Sequence, residues 1–291
     1  MQVRWASRGR ASVVAVAASL VVSLPVSASP AVSASPGRIF VGDYSTGDFS
    51  QWTTVQLKGY NGPPSGYVPT YSAQVVDDAV KGKAARFEVR DGDTPPWGGG
   101  ERSQVTADGS AADAYEGDTR WYALSTRSDP TFPQNHGWGP RDIGFGLTSQ
   151  FHGLLDGSPP VAFFSEGANM VLKIQQQGAG AVHLHDFNIW ETPMSTTWHD
   201  IKMQIHWSTD DSLGWIRLWH NGIPQTFLQG PAGTRADNNT TYYIRTLVPS
   251  NPPGGEGMFF AQGYYRAVEP TSPTGIVYHA GFTVAVDEAG L

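Results

Sequence analysis

The sequence predicts an all-β chain that folds as one two-sheet β-sandwich of the jelly-roll, concanavalin-like type. Segments in which apolar and polar residues alternate recur along the chain, and clusters of Gly, Pro, Asn and Asp separate them. The composition agrees: 34 Gly, 21 Pro, 10 Trp, 11 Tyr and 13 Phe, with only 15% charged residues, do not suit a coiled coil or helical bundle. No segment has the pattern of a helix longer than two turns.

The first 34 residues are predicted to be a secretory signal. The first ten residues contain three Arg, residues 11–26 are apolar, and small-residue cleavage sites end at Ala28 and Ala34. The apolar run is too short and too rich in Ser for a transmembrane anchor. We therefore expect a secreted, extracellular protein, without membrane association after signal cleavage, in which residues 35–291 form a single domain. The chain has no Cys, so this domain would fold without disulfides.

Six segments carry the strand pattern, in chain order 84–90, 121–125, 144–151, 170–175, 181–187 and 201–207. Turn signals lie between them, at 91–93, 156–160, 210–212 and 251–255. The clearest hairpin joins residues 198–207 to residues 215–219, and the tight turn Asn221-Gly222 follows it. Its first strand should bury Ile201, Met203, Ile205 and Trp207, because alternate residues of a strand share a face.

Two pairs of polar residues are spaced two apart in predicted strands, so each pair leaves its strand on one face. Gln150 and His152 combine a proton acceptor with an amide donor, although a His at a strand end also commonly faces solvent. Arg102 and Gln104 follow a Gly-rich segment, and the rigid fork of an Arg fits a carboxylate. An exposed surface Arg is the alternative reading.

A late aromatic strand, residues 257–266, supplies Tyr265 as a candidate proton donor with Arg266 beside it. Two aromatic residues buried in a core are the commoner outcome for such a strand. Gly263 in the same strand would allow a close approach to its backbone.

The sequence marks no metal or cofactor site. His183 and His185 lie two apart, but spacing marks no third ligand, so we predict no metal in the site and leave a structural Ca²⁺ open. His136 stands alone in a loop. The serine-hydrolase elbow, the phosphate loop and the dinucleotide fingerprint are absent from the sequence. The Glu residues form no pair on one strand face, although a carboxylate pair from distant strands stays open.

Three short segments, in this order, resemble motifs of the jelly-roll polysaccharide lyases, a group that includes alginate lyases, glucuronan lyases and the heparin lyase I type. Arg102-Ser103-Gln104-Val105 is similar to their R-x-E motif, Gln150-Phe151-His152 to their Q-[IV]-H motif, and residues 259–265 to their Y-F-K-x-G-x-Y motif. Residues 198–222 resemble the W-H-D … W-x-N-G stretch of the heparin lyase I-like branch. The likeness covers roughly residues 38–288.

The resemblance implies a role for each matching residue. Arg102 and Gln150 would bind and neutralise a uronate carboxylate, with Gln104 and Arg266 as further binding residues. His152 would take the C5 proton, and Tyr265 would protonate the leaving oxygen or act as both base and acid for one sugar epimer. The chain departs from the pattern at three positions: Gln104 replaces Glu, Phe259 replaces Tyr and Ala261 replaces Lys. Loss of the Lys argues against alginate as the substrate.

These observations predict a secreted lyase that cleaves an acidic polysaccharide by β-elimination as a monomer, without a cofactor. A net charge of −7 excludes a general nucleic-acid binder. Without the three Arg of residues 1–34 the net charge is −10, which disfavours a heavily sulfated polymer, so we expect a glucuronan-like or other unsulfated polyuronate. The alternatives are a carbohydrate-binding module that uses Trp215 and Trp219, and a sandwich-fold glycoside hydrolase. An acidic protein that binds an acidic polymer should gather its few Arg residues at one place, the candidates being Arg102, Arg141, Arg217, Arg245 and Arg266.

Overall fold

The computed structural model describes residues 37–154, 157–179, 182–228, 235–237, 240–251, 253–269 and 271–291. The predicted signal, residues 1–34, lies outside these residues. Across the described ranges, no helix has the length and apolar character needed to cross a membrane. The helices there are short 3₁₀ turns, at Pro64–Gly66 and Glu288–Gly290.

Nineteen strands occur in the described part of the chain. In chain order they are β1 (Arg38–Gly42), β2 (Thr54–Leu57), β3 (Tyr60–Gly62), β4 (Ala73–Asp78), β5 (Gly82–Val89), β6 (Glu101–Thr106), β7 (Ala114–Tyr115), β8 (Thr119–Ser128), β9 (Gly146–Gly153), β10 (Val161–Glu166), β11 (Asn169–Gly178), β12 (Val182–Pro193), β13 (His199–His206), β14 (Trp215–His220), β15 (Ile223–Pro224), β16 (Arg235–Asp237), β17 (Thr241–Tyr243), β18 (Gly257–Arg266) and β19 (Gly275–Ala285).

These strands form two antiparallel sheets, which confirms the predicted all-β sandwich. Within the described residues, the first sheet has ten strands, ordered β16-β17-β14-β13-β8-β19-β5-β4, with β1 on β19 and β15 on β14. The second has nine, ordered β12-β11-β10-β9-β18-β6-β2-β3, with β7 on β18. Strands far apart in sequence are neighbours in both sheets, so β6, β18 and β9 lie side by side in the second.

Each of the six predicted segments overlaps a strand, and the differences are confined to the ends; residue 181, at the start of one segment, lies outside the described residues. The segment predicted at 201–207, for example, is the strand His199–His206, and the one predicted at 144–151 is Gly146–Gly153. Alternation reveals the half-buried interior of a strand, whereas the hydrogen-bond ladder with neighbouring strands determines where the strand stops.

Aromatic side chains fill the core between the two sheets. Phe260 of β18 and Phe282 of β19 stack across it, with ring centroids 3.8 Å apart and planes 6° from parallel. Trp207 is fully buried, and its indole N–H donates to the Tyr122 hydroxyl at 2.8 Å. The predicted apolar face of the hairpin is confirmed, since Ile201, Met203, Ile205 and Trp207 are at most 2% exposed. Burying each such side chain contributes about 1.5–3 kcal/mol.

Two buried histidines should make stability depend on pH. Burial lowers the pKa of both His136 and His279 to about 4, below the ordinary value of 6.5. The unfolded chain therefore binds protons that the folded chain excludes, so this stability is complete above pH 6.5 and is lost as the pH falls toward 4. Burial acts in the opposite direction on Asp113, whose pKa it raises to about 6, so this carboxyl offsets part of the loss.

We expect the melting temperature to fall between pH 6.5 and pH 4, with each His contributing roughly 3 kcal/mol of the lost stability. His279→Gln removes one of these titrations and keeps an N–H donor for the Gly263 carbonyl, which His279 Nε2 contacts at 3.0 Å. Calorimetry of the variant should therefore show a shallower fall than the unmodified protein. Parallel curves for the two proteins would contradict this account.

Candidate active site

A cavity of about 400 Å³ lies on the face of the second sheet that points away from the core. Its floor is formed by side chains of seven strands, from β2 through β6, β18, β9, β10 and β11 to β12. Loop residues Gly137 and Trp138 border it at one place, and Gly157, Ser158 and Pro159 at another.

Strand register brings the predicted site residues into this cavity. Arg102 of β6 lies directly opposite Tyr265 of β18, and His152 of β9 lies opposite Phe259. Because opposed residues of an antiparallel pair share a face, these side chains emerge on the same side of the sheet. Five of the six predicted residues line the cavity: Arg102, Gln104, Gln150, His152 and Tyr265.

Arg102 is a cation without a carboxylate partner in the described residues. Its guanidinium lies over the Tyr265 ring, 3.9 Å from the centroid, and 5.8 Å from the centroid of Trp97. Its buried Nε has no hydrogen-bond partner among those residues. Burial lowers the pKa of this guanidinium, which remains charged at any physiological pH. The site therefore holds a desolvated positive charge that an anionic ligand would neutralise.

Three glutamine side chains form a row along the floor. Gln150 Nε2 donates to Gln104 Oε1 at 3.1 Å, and Gln104 Nε2 donates to Gln56 Oε1 at 2.7 Å. Gln104 therefore orients the amide of Gln150 without adding a negative charge beside Arg102. A Glu at position 104 could accept the hydrogen bond from Gln150 but could not donate one to Gln56 Oε1, and it would carry that charge.

Gly263 of β18 makes the row possible. It faces Gln104 across the ladder, and its missing side chain lets Gln104 and Gln150 meet over β18. The register of β18 against β9 shifts between Gln262 and Tyr265, and Gly263 has φ +154°. A Cβ built there would lie 2.2 Å from the Ser103 carbonyl oxygen.

Gly263→Ala is expected to destabilise the fold by about 3 kcal/mol and to lower activity, since a bulge and a close backbone contact must both change. The measurement is urea unfolding together with activity of the refolded variant. Gly178→Ala is the matched strand control, because the nearest atom to its added Cβ is 3.8 Å away. An unchanged stability for Gly263→Ala would show that β18 tolerates a side chain at the bulge.

His152 is held in one tautomer. Its Nδ1 lies 2.7 Å from the Gly153 carbonyl oxygen, which can only accept, so Nδ1 carries the proton and the lone pair of the neutral ring is on Nε2. The ring stacks on Phe259, with centroids 5.1 Å apart and planes 28° from parallel. His152 therefore has the protonation pattern of a proton acceptor that uses Nε2.

Tyr265 is positioned by the Gly-rich loop that precedes β6. Its hydroxyl donates to the Gly99 carbonyl, and its ring meets Phe145 edge to face with centroids 5.0 Å apart. A Cβ at Gly100 would lie 2.5 Å from the Tyr265 ring, so only a glycine permits this packing. These contacts fix the position of the Tyr265 hydroxyl group at the cavity wall.

Arg266 is the exception among the predicted binding residues. It is fully buried on the core face of β18, where its Nε donates to Glu101 Oε2 at 2.7 Å and another guanidinium nitrogen donates to the Pro273 carbonyl. Successive residues of a strand point to opposite faces, so Arg266 cannot accompany Tyr265 into the cavity. This corrects its interpretation as a substrate-binding residue: it anchors β18 to β6.

The expected gathering of Arg residues is not observed. Of the five candidates, only Arg102 lines the cavity. Arg217 lies on β14 in the other sheet, together with Trp215 and Trp219, so these two Trp residues do not line the cavity either. The second cation at the cavity is Lys173 of β11.

Neither His136 nor His183 lines the cavity. His136 is 2% exposed, donates from Nδ1 to the Gly144 carbonyl at 3.2 Å and accepts from the Tyr264 hydroxyl at 2.7 Å. His183 contacts Asp186 at 2.9 Å on the exposed part of β12. In the described ranges, no group of three or more His, Cys, Asp or Glu residues is arranged to hold a metal.

The cavity residues that the sequence analysis did not predict include Gln56, Glu166, Lys173 and Asp186. Lys173 left a signal, since it interrupts the apolar run Met170-Val171-Leu172 and Ile174 in a strand buried on both faces. The other three lie in ordinary polar positions, and only the strand order brings them to the cavity.

Taken together, the cavity offers a desolvated cation, an oriented amide, a proton acceptor and a proton donor on three adjacent strands. A family model described as polysaccharide lyase matches residues 44–283. A comparison with curated proteins found no match.

Three solved structures of family 7 alginate lyase are similar to the chain. A double variant in complex with substrate superposes with a TM-score of 0.51 at 15% identity, over 84% of this chain and 96% of the other. A variant in complex with product gives a TM-score of 0.49 at 16% identity, over 87% and 99% of the two chains. A third structure gives 0.48 at 16% identity, over 80% and 93%. At these identities the likeness concerns the fold.

Proposed function

The chain belongs to the polysaccharide lyase family, and from that premise we propose that it cleaves a uronic-acid-containing polysaccharide by β-elimination. As a lyase, it is neither a non-catalytic binding module nor a glycoside hydrolase. The observation that carries the uronate assignment is Arg102, whose guanidinium has no carboxylate partner in the described residues and lies in one cavity with Gln150, His152 and Tyr265.

The proposed step begins with the carboxylate of the sugar bound to Arg102 and Gln150. Neutralising this group stabilises the enolate-like transition state that forms when the C5 proton leaves. His152 Nε2 takes that proton, and the electron pair of the C5–H bond becomes the C4=C5 double bond. The C4–O bond breaks, and the leaving oxygen takes the proton of the Tyr265 hydroxyl. Water is not consumed, and the product carries a double bond at its new end.

The test is a panel of polyuronates and uronate-containing heteropolymers, followed by ultraviolet absorbance of the unsaturated product. We expect absorbance to grow with at least one polymer, and His152→Ala and Tyr265→Phe each to lower its rate by about 10²–10⁴-fold, as for loss of a general base or acid. His206→Ala is the control, since His206 lies on β13 of the other sheet. New reducing ends without absorbance would contradict the proposal.

We also propose that residues 1–34 direct export and that the remaining chain acts outside the cell as a monomer. The positive start, the apolar segment and the small-residue sites support this assignment. Amino-terminal sequencing of protein recovered from the culture medium should begin after Ala28 or Ala34. A start at Met1 would contradict export by cleavage.

A further inference from the structure

Charge is distributed unevenly along the cavity floor. Arg102 stands at the β6 end, and four strand spacings of roughly 4.8 Å separate β6 from β11, where Lys173 lies. At the β10–β12 end, Lys173 Nζ is 2.5 Å from Glu166 Oε1, and Asp186 adds a second carboxylate. A carboxylate of the ligand therefore meets an unpaired cation at one end only.

The Lys173–Glu166 pair is held in place from several sides. Lys173 is 7% exposed, and its ammonium lies 4.7 Å from the centroid of the Phe164 ring. Glu166 also accepts from Asn188 Nδ2 at 2.7 Å. If Lys173 turned to an incoming carboxylate, Glu166 would lose its cation next to that anion, so the pair presents no net charge to a ligand.

The same end offers acceptors that suit sugar hydroxyl groups. Gln175 Oε1 is buried and has no hydrogen-bond partner in the described part of the chain. Gln175 Nε2 lies 3.5 Å from Asp186 Oδ1. Hydroxyl groups can donate to the Gln175 oxygen and to the Asp186 carboxylate, whereas a uronate carboxylate can only accept. Phe164 and Pro159 supply apolar surface for a sugar ring.

We infer that this enzyme takes a polymer whose uronates are separated by neutral sugars, with a uronate carboxylate at Arg102 and an uncharged sugar at the β10–β12 end. The inference rests on the proposed function and narrows its substrate class. It differs from the sequence-based expectation of a contiguous polyuronate because the sequence alone did not reveal Glu166 and Asp186 at the cavity.

Two β-1,4-glucans that differ only in charge spacing provide the test, one oxidised at C6 on every glucose and the other on a minority of them. Rates are expressed per uronate. We expect the unmodified protein to prefer the sparsely oxidised glucan, and Glu166→Gln, which frees Lys173 for a second carboxylate, to reduce that preference by about tenfold. Asp77→Asn is the charge-matched control, because the Asp77–Lys83 pair lies in the other sheet, and it should leave the preference unchanged.

Lys173→Met distinguishes this reading from the opposite one. If Lys173 binds a substrate carboxylate, Lys173→Met should selectively lose activity on the fully oxidised glucan, and the unmodified protein should prefer that polymer. Either result would overturn the inference. The proposed function fails separately, when no polymer of the wider panel yields unsaturated product. In that case the inference is tested by the dissociation constants of the two glucans measured with the His152→Ala variant. A preference for one charge spacing in binding does not require cleavage.

Discussion

Replacing Arg102 with Met is expected to lower kcat/KM on the cleaved polymer by about 10³-fold, because the side chain that neutralises the carboxylate is lost. Among the described residues, Arg102 has no partner of opposite charge, so only a ligand can compensate the free energy of desolvating its guanidinium. The kcat/KM of Arg102→Lys should lie between those of the unmodified protein and Arg102→Met, because an ammonium keeps the charge but loses the rigid fork of the guanidinium. Initial rates of absorbance growth measure both variants.

Arg102→Met should leave the melting temperature unchanged or raise it, because Arg102 Nε is buried without a hydrogen bond among the described residues. Arg217→Met is the control, as that Arg lies on β14 of the other sheet and should not affect the rate. A variant that loses both activity and stability would indicate that Arg102 supports the fold instead of the ligand.

Glu101→Ala is expected to destabilise the protein by about 3–5 kcal/mol, which is the typical effect of removing one partner from a buried ion pair. Arg266 and Glu101 are both fully buried, with Arg266 Nε 2.7 Å from Glu101 Oε2. Without Glu101, the guanidinium would remain in the core beside the Tyr264 ring, 5.6 Å from its centroid, with its charge uncompensated. The midpoint of urea unfolding measures the loss.

The double variant Glu101→Leu with Arg266→Met provides the decisive comparison. Replacing both charges with apolar side chains should recover most of the lost stability, since no charge then remains buried. The Lys83–Asp77 pair is the surface control, because Lys83→Met removes an exposed ion pair and should cost less than about 1 kcal/mol. Equal losses from Glu101→Ala and Lys83→Met would contradict the importance assigned to the buried pair.

Strand periodicity explains how much of the site the sequence could predict. Arg102 with Gln104, and Gln150 with His152, were correctly placed on one strand face each, because side chains repeat every two residues. The same rule predicts that neighbours such as Tyr265 and Arg266 separate, and assigning both to the site overlooked it. Opposite Arg266 lies Glu101, and opposite Tyr265 lies Arg102, so one register fixes both the core ion pair and the site.

Other features could not be predicted because they depend on strand order. Gln56 and Gln104 are 48 residues apart in sequence, yet their strands β2 and β6 are adjacent. Lys173 meets Glu166 because β10 and β11 form a hairpin, but alternation does not tell which of its two faces turns to the cavity. The burial of His136 also required the structure, since a loop position usually suggests exposure.

The catalytic candidates rest on a rigid sheet, whereas loops that carry Trp138 and Ser158 form the sides of the cavity. The sheet therefore fixes the positions of the catalytic candidates, and the loops shape the sides of the cavity. Random libraries limited to residues 137–142 and 157–159 can vary the sides while the spacing of Arg102, His152 and Tyr265 stays set by the hydrogen-bonded strands. Substitutions in these loops can therefore reshape the sides of the cavity while the strand residues of the floor, which carry both the proposed elimination and the uneven charge, stay in place.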